Sequence, residues 1–318
     1  MTIDRPVLGI LLMLGFCIVA PLGDATAKLL GPRVGIIELL LVRFALQAVI
    51  LAPIVWLAGR SWRMSPRTWR LAWLRTILHM AGIGMMFTAL KFMPLADAVA
   101  IAFVMPFLML ILGQWILGEE VGPRRIVACL VGFVGSLLVI QPSFVQVGWY
   151  ALLPLGVAVT FSLFMLTTRR IAHETDPIGL QTVNGLMATL IILPIALVGQ
   201  WNGGSHLNLA ALPADTLWLL VAIGVLGTLA HLLMTWSLRF APSATVAPIQ
   251  YLEIPMAMLA GFIIFSDLPN TLATIGIAIT MGAGLYVLMT EQASQKKKRD
   301  ETPPKTRLDR RPVETPAQ

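Results

Sequence analysis

The chain has 318 residues, of which 57% are hydrophobic and 12% charged, with a mean hydropathy of +0.82 and a formal charge of +7. That leaves too little polar side chain to cover a soluble globule, so the composition specifies an integral membrane protein. The basic residues lie in loops and the C-terminal tail with no nucleic-acid-binding pattern, which argues against a nucleic-acid partner.

Apolar runs long enough to approach a bilayer's thickness occur at 7–30, 35–58, 71–92, 96–117 and 125–140. Five more follow at 148–168, 177–198, 216–238, 244–265 and 272–289. The fold class expected is therefore an all-α polytopic membrane protein of ten transmembrane helices. At the N-terminus, Arg5, the apolar run and Ala25-Thr26-Ala27 imitate a secretory signal with its cleavage site. Asp24 and Lys28 flanking that triplet, and the nine further spans, favour an uncleaved first helix. Asp176-Pro177 reads as an N-cap followed by proline in the first turn, and 267–270 also carries cap chemistry. Cys17 and Cys129 both sit in apolar runs and read as packing residues, since their spacing makes neither a disulfide framework nor a zinc site.

Cations distribute unevenly over the loops. Arg5, the segment from Arg60 to Arg75, Arg124, Arg125, Arg169, Arg170, Arg239 and the tail cations fall on one side, against Lys28, Arg33 and Lys91 on the other. The positive-inside rule then places both termini in the cytoplasm. Residues 291–318 are rich in Lys, Arg, Asp, Glu and Pro and are expected to form a disordered cytoplasmic tail, with Lys296 to Arg299 as a stop-transfer signal.

The two halves repeat. Ala89-Leu90-Lys91-Phe92-Met93-Pro94 matches Ser237-Leu238-Arg239-Phe240-Ala241-Pro242, Pro106 falls beside Pro255, and Gly118-Glu119 meets Ser266-Asp267. Earlier in each half, Leu14-Gly15 matches Leu155-Gly156, Lys28 matches Arg169, and Pro53 matches Pro194. This divides the chain into repeats at 1–142 and 143–290. Because five is odd, the second copy must enter the membrane inverted, which is the construction used for alternating access.

Several polar groups lie deep in these spans. Glu253 sits near the middle of the ninth, in Ala247-Pro248-Ile249-Gln250-Tyr251-Leu252-Glu253-Ile254-Pro255, where two prolines predict a bent helix lining a cavity. Arg43 lies about 12 Å into the second span at 1.5 Å per residue and needs a partner, either a substrate or gate carboxylate or a structural one. Glu253 can serve a cationic or hydrogen-bonding substrate group, take up a proton, or neutralise Arg43. Gln250, Tyr251 and Trp236 add flat faces and hydrogen-bonding ends, as candidates for substrate contact, and Phe87, Phe103 and Phe107 offer further aromatic faces that packing would equally explain. Asp24 and Lys28 stand four apart, the spacing of a local ion pair. With Glu38, Lys91 and Asp97 they compose a candidate outer gate or vestibule. Lys91 and Arg239 also suit the C-terminal dipoles of the helices they close. His79 and His231 are candidates for proton coupling, against the commoner reading of buried, hydrogen-bonded histidines. Gly132-x-x-Gly135, Gly224-x-x-Gly227 and the glycines from Gly276 to Gly284 permit close helix approach, and leave a homodimer open.

The five-plus-five repeat, Arg43-Phe44, the stretch from Pro106 to Gly118-Glu119 and the glycine-rich fifth span resemble the EamA family of the drug/metabolite transporter superfamily, over about residues 7–290. Gly23-Asp24-Ala25-x-Ala27-Lys28 and Ala247-Pro248-x-x-Tyr251-Leu252-Glu253 resemble the branch that holds S-adenosylmethionine uptake carriers and riboflavin transporters. The resemblance implies a ten-helix bundle in the bacterial inner membrane, with a central cavity built mainly from helices 1, 3, 4, 6, 8 and 9. It implies a secondary transporter of a small organic metabolite, with no cofactor and no metal. The second half departs from the first in having Ser266-Asp267 for Gly118-Glu119 and Asn184 for Arg43, so the halves are unequal. No His-Glu-x-x-His pattern supports an intramembrane enzyme, and no Walker A motif supplies ATP. Arg43 balanced against Glu253 suits a neutral or zwitterionic ligand. Riboflavin is the first substrate expectation; S-adenosylmethionine, amino acids and related metabolites stand as alternatives, in import or export.

Overall fold

Local chemistry sets where the helices begin. Pro66 opens one behind Ser65, whose Oγ accepts from the Thr68 N–H at 3.2 Å. Asp176 Oδ1 accepts from the Ile178 and Gly179 N–H groups, both at 3.0 Å, ahead of Pro177, and Asn270 Oδ1 accepts from Ala273 at 2.9 Å. The computed structural model describes residues 5–118, 122–201, 212–267 and 269–301. Among them every regular element is helical: α1 (Pro6–Leu30), α2 (Ile36–Leu57), α3 (Pro66–Ala89), α4 (Leu95–Ala102), α5 (Met105–Leu112), α6 (Pro123–Val147), α7 (Leu153–Ile171), α8 (Pro177–Trp201), α9 (Ala214–Phe240), α10 (Ser243–Val246), α11 (Glu253–Phe265) and α12 (Thr271–Glu301).

Seven apolar helical stretches are long enough to cross a bilayer, one of them the composite of α4, α5 and the π-turn Gly113–Leu117. Shorter apolar stretches cover 126–138, 249–265 and 271–283. Their outer faces carry exposed side chains such as Leu11, Val49, Leu190, Val198 and Ile263, as lipid contact requires.

Two of the stretches are broken in corresponding ways. In the first, α4 ends at Phe103 and α5 resumes just ahead of Pro106; in the second, a 3₁₀ segment Ala247–Leu252 separates α10 from α11 ahead of Pro255. The bend expected around Glu253 is thus present, and Glu253 opens α11. Each ends in a left-handed residue, Gly118 at φ 66° and Ser266 at φ 56°. These are the positions that the repeat alignment superposes, although Glu119 lies outside the described residues.

Packing pairs α1 with α9, α3 with α7, α2 with α8, α6 with α12 and α4 with α11. The set is unchanged when α1, α2, α3, α4–α5 and α6 are exchanged with α7, α8, α9, α10–α11 and α12. Close approach uses the glycines noted in the sequence. A methyl at Gly135 would stand 2.6 Å from the Gly276 carbonyl, one at Gly224 would strike Leu46, and one at Gly132 would come 2.7 Å from the Tyr251 ring. These surfaces are taken up inside the chain.

Two expectations need correction. The last helix runs past Met289 to Glu301 instead of ending in a disordered tail, because 291–299 is rich in good helix formers; residues 302–318 lie outside the described ones. Arg75, counted with a loop, lies inside α3 and is fully buried. By contrast, α1 continues unbroken through Ala25-Thr26-Ala27, all three buried.

Candidate functional site

Helical stripes converge on an internal cavity. From α1 come Phe16, Ala20, Gly23 and Asp24; from α3, Gly82, Ile83, Met86 and Phe87; from α9, Ile223, Leu226, Gly227, Ala230 and His231. These positions recur every three or four residues, so each set occupies one helix face. Arg43, Phe103, Phe161 and Glu253 complete the charged and aromatic lining. The volume is about 70 Å³, which suffices for a few waters at ~10–15 Å³ each and must widen to take a metabolite.

Arg43 reaches this cavity through a notch. A methyl at Gly227 would come 2.8 Å from its Nε. Its Nη2 lies 3.1 Å from His231 Nδ1, its Nη1 has no hydrogen-bond partner among the described residues, and its guanidinium carbon lies 4.9 Å from the Phe44 ring centre. His231 Nδ1 is also 2.9 Å from the Gly227 carbonyl. With its proton on Nδ1 the ring donates to Gly227; with the proton on Nε2 it accepts from Arg43.

Across the bundle, His79 Nδ1 lies 2.8 Å from Asn184 Oδ1, and Asn184 Nδ2 donates to Thr76 Oγ1 at 2.9 Å. The sequence alignment matches Asn184 to Arg43. The pair Arg43 and His231, between α2 and α9, therefore answers the pair Asn184 and His79, between α8 and α3. The two imidazoles meet with ring centres 4.3 Å apart. Where the first half contributes a guanidinium, the second contributes a neutral amide.

Below the rings the interior is closed by hydrogen bonds. Arg75 Nε donates to Thr168 at 2.7 Å, with its guanidinium carbon 4.5 Å from the Phe164 ring centre, and its Nη1 lacks a hydrogen-bond partner among the described residues. Gln181 Nε2 donates to the His231 carbonyl at 2.7 Å and to Thr235 at 2.8 Å, while Gln47 donates to the Gln181 carbonyl at 2.6 Å. Further down, Ser237 donates to the Gly9 carbonyl at 2.7 Å, Arg169 to Leu238 and Arg239 to Thr175, both at 2.8 Å, and Arg60 pairs with Asp176 at 2.8 Å. At the opposite end, one turn beyond Asp24, Lys28 pairs with Asp267 at 2.7 Å and lies over the Phe265 ring at 4.5 Å.

The expected site residues separate accordingly. Arg43, Glu253 and Asp24 line the cavity together with His231, and His79 lies behind it against His231. Tyr251 stands back, fully buried between Gly132 and Phe103. Gln250 also stands back and donates to Met165 Sδ at 3.0 Å. Trp236 packs in a separate cluster with Leu51, Val55, Ile178 and Leu232. The expected Asp24–Lys28 pair gives way to Lys28–Asp267, because the turn after α11 brings a carboxylate to 2.7 Å from the Lys28 ammonium. The remaining vestibule candidates do not gather at the cavity: Glu38 folds over Gly35, Asp97 is buried in the first turn of α4, and Lys91 is exposed with its stem against Gly31. Among the other aromatics, Phe107 stacks on Phe133, while Phe87 and Phe103 face the cavity. Cys17 is buried with Sγ 3.7 Å from the Ile249 carbonyl, a packing residue.

The sequence reading passed over Phe16, Phe161 and Arg75. Phe16, Ala20, Gly23 and Asp24 form one stripe of α1, which was legible as spacing, though nothing local said that it faced inward.

Long apolar helices enclosing a small cavity with buried charges define a membrane carrier for small molecules. The model described as the EamA-like transporter family matches residues 7–141 and again 148–290, and the chain belongs to that family. It is a multi-pass inner-membrane transporter. A riboflavin transporter of Rhizobium johnstonii is 28% identical over 70% of this chain and 71% of its own length. An S-adenosylmethionine uptake transporter of Rickettsia prowazekii is 23% identical over 89% and 93%, and a riboflavin transporter of Vibrio cholerae is 27% identical over 82% and 85%. A solved crystal structure of a protein 16% identical superposes with a TM-score of 0.63 over 93% of this chain and 98% of that one, which speaks to the fold alone.

Proposed function

We propose that the protein is a ten-helix secondary carrier that moves riboflavin across the inner membrane by alternating access, with both termini cytoplasmic. The observation that carries the substrate is the lining: Phe16, Phe87, Phe103 and Phe161 offer flat apolar faces, and Arg43 and His231 offer donors to a ring carbonyl or hydroxyl. Residues 1–142 and 143–290 are read as the two inverted repeats. The exchangeable helix pairings and the matching of Arg43 and His231 by Asn184 and His79 support that reading. The cation distribution supports the orientation.

S-adenosylmethionine is the second reading, favoured by one observation. Asp24 joins Glu253 in the cavity, so two carboxylates face the single guanidinium of Arg43, a balance that suits a cationic ligand. Uptake of each radiolabelled compound by cells auxotrophic for it and expressing this chain separates the two. Saturable riboflavin uptake with growth rescue is expected. Uptake of S-adenosylmethionine alone replaces the first reading with the second, and uptake of neither removes both.

A further inference from the structure

We propose that Asp24 and Glu253 form a proton-binding site, so that an uncharged substrate crosses the membrane with one proton. The inference rests on the carrier reading above and names the ion that drives it.

Both carboxylates line the same narrow cavity, Asp24 from α1 and Glu253 from the first turn of α11. Among the described residues neither makes a hydrogen bond or an ion pair, and Glu253 is only 7% exposed. Asp24, Arg43 and Glu253 all line this one cavity of about 70 Å³, which places the three charges within reach of one another. Facing them, α2 contributes Arg43, α9 contributes His231, and α1 adds the Cys17 thiol, while α3, α4, α5 and α7 bring only apolar and glycine lining. Arg75 and His79 stand one layer behind. Two carboxylates against one guanidinium leave one negative charge uncompensated in a site walled by phenylalanine. Such a charge is costly inside a membrane and must be met by a cation or removed by a proton.

The histidines are the worse place for that proton. His231 touches Arg43, and His79 stacks on Phe164 at 4.6 Å, whose ring also faces Arg75, so a third positive charge would join two guanidiniums. A metal cation is also poorly served, since among the described residues no three His, Cys, Asp or Glu side chains are placed to hold one. The step itself is simple. From water on the side to which the cavity opens, a proton forms an O–H bond with one carboxylate oxygen. When the cavity opens to the other side, that bond breaks and the proton returns to water. A neutral ligand leaves the proton in place and is carried with it. A ligand bearing a net positive charge replaces the proton and expels it.

Full-length protein in proteoliposomes, with a pH-sensitive dye inside, tests the coupling. An acid-outside gradient at fixed internal pH should raise riboflavin uptake severalfold and acidify the lumen in step. In Asp24→Asn and in Glu253→Gln, the ratio of uptake with and without the gradient should fall to about one, and Glu253→Asp should restore it. A ratio near one in the wild type, or an unchanged ratio in both amide variants, overturns the proposal. A second measurement needs no substrate: pH-difference infrared spectra of the reconstituted protein should show a protonated carboxyl band that appears as the pH is lowered and is lost in the amide variants. Absence of that band defeats the proton site even where riboflavin is carried. Its presence without riboflavin transport defeats the substrate and leaves the proton site standing.

Discussion

Arg43 enters the cavity only because position 227 has no side chain. A methyl there would lie 2.8 Å from Nε, closer than real side chains pack, and 3.1 Å from the guanidinium carbon. Gly227→Ala should therefore turn Arg43 away from His231 and out of reach of the two carboxylates, while leaving α9 intact or slightly better as a helix. The expected result is a loss of transport of tenfold or more, about 1.4 kcal/mol, with normal abundance in the membrane. Wild-type uptake by the alanine variant would show that Arg43 is not needed where it stands. Trp236 is the opposite case. Its packing against Leu51, Val55, Ile178 and Leu232 keeps it out of the cavity. Trp236→Ala should cost about 0.5–3 kcal/mol of stability, seen as a lower unfolding temperature in detergent, without moving the substrate KM. A raised KM at unchanged stability would return Trp236 to the binding site.

At the scale of the element, the two broken helices follow from their sequences. Prolines lack the N–H that an unbroken helix needs, and the breaks precede Pro106 and Pro255 as local chemistry dictates. The left-handed stop at each end is shared, but glycine occupies it in one helix and Ser266, at φ 56° and ψ 24°, in the other. A side chain in that region is strained, so Ser266→Gly should stabilise the protein by about 1 kcal/mol, read as a rise in unfolding temperature. A fall would mean that the serine makes a compensating contact. Helix caps, breaks and the internal repeat were legible for this reason: each depends on residues within a turn of one another. The cavity was not legible to the same degree. Asp24 has Lys28 on its own helix, and only the fold reveals that Lys28 turns to Asp267, 239 positions away. Arg75 follows a run of loop cations and is counted with them, although the predicted span 71–92 contains it, and its burial follows from which face of α3 it occupies. Trp236, five residues beyond His231 on α9, illustrates the same point: depth in a helix can be counted along the chain, but rotation about its axis is set by tertiary packing.

For the molecule as a whole, the closures at its two ends are unequal. One end is sealed through several layers, of which Arg75–Thr168, Gln47–Gln181, Ser237–Gly9 and Arg60–Asp176 link the first half to the second. At the other, the one ion pair beside the cavity is Lys28–Asp267, among the described residues, with Arg33–Asp215 on a more exposed rim. A half-exposed pair of this kind contributes about 0–1 kcal/mol, so little holds that end shut. The proposed alternating access requires that Lys28 separate from Asp267 in one state and the Arg60 layers part in the other. Holding the first contact closed should therefore stop the cycle while leaving the fold untouched. In a background with Cys17→Ser and Cys129→Ser, Lys28→Cys with Asp267→Cys and a short reducible bifunctional reagent should abolish uptake, and reductant should restore it. Single-cysteine controls treated alike should keep their untreated rate, because the reagent then has only one anchor. Full cross-linking with unchanged uptake would mean that the Lys28 end does not open during transport, and the substrate would have to reach Asp24 and Glu253 by another path.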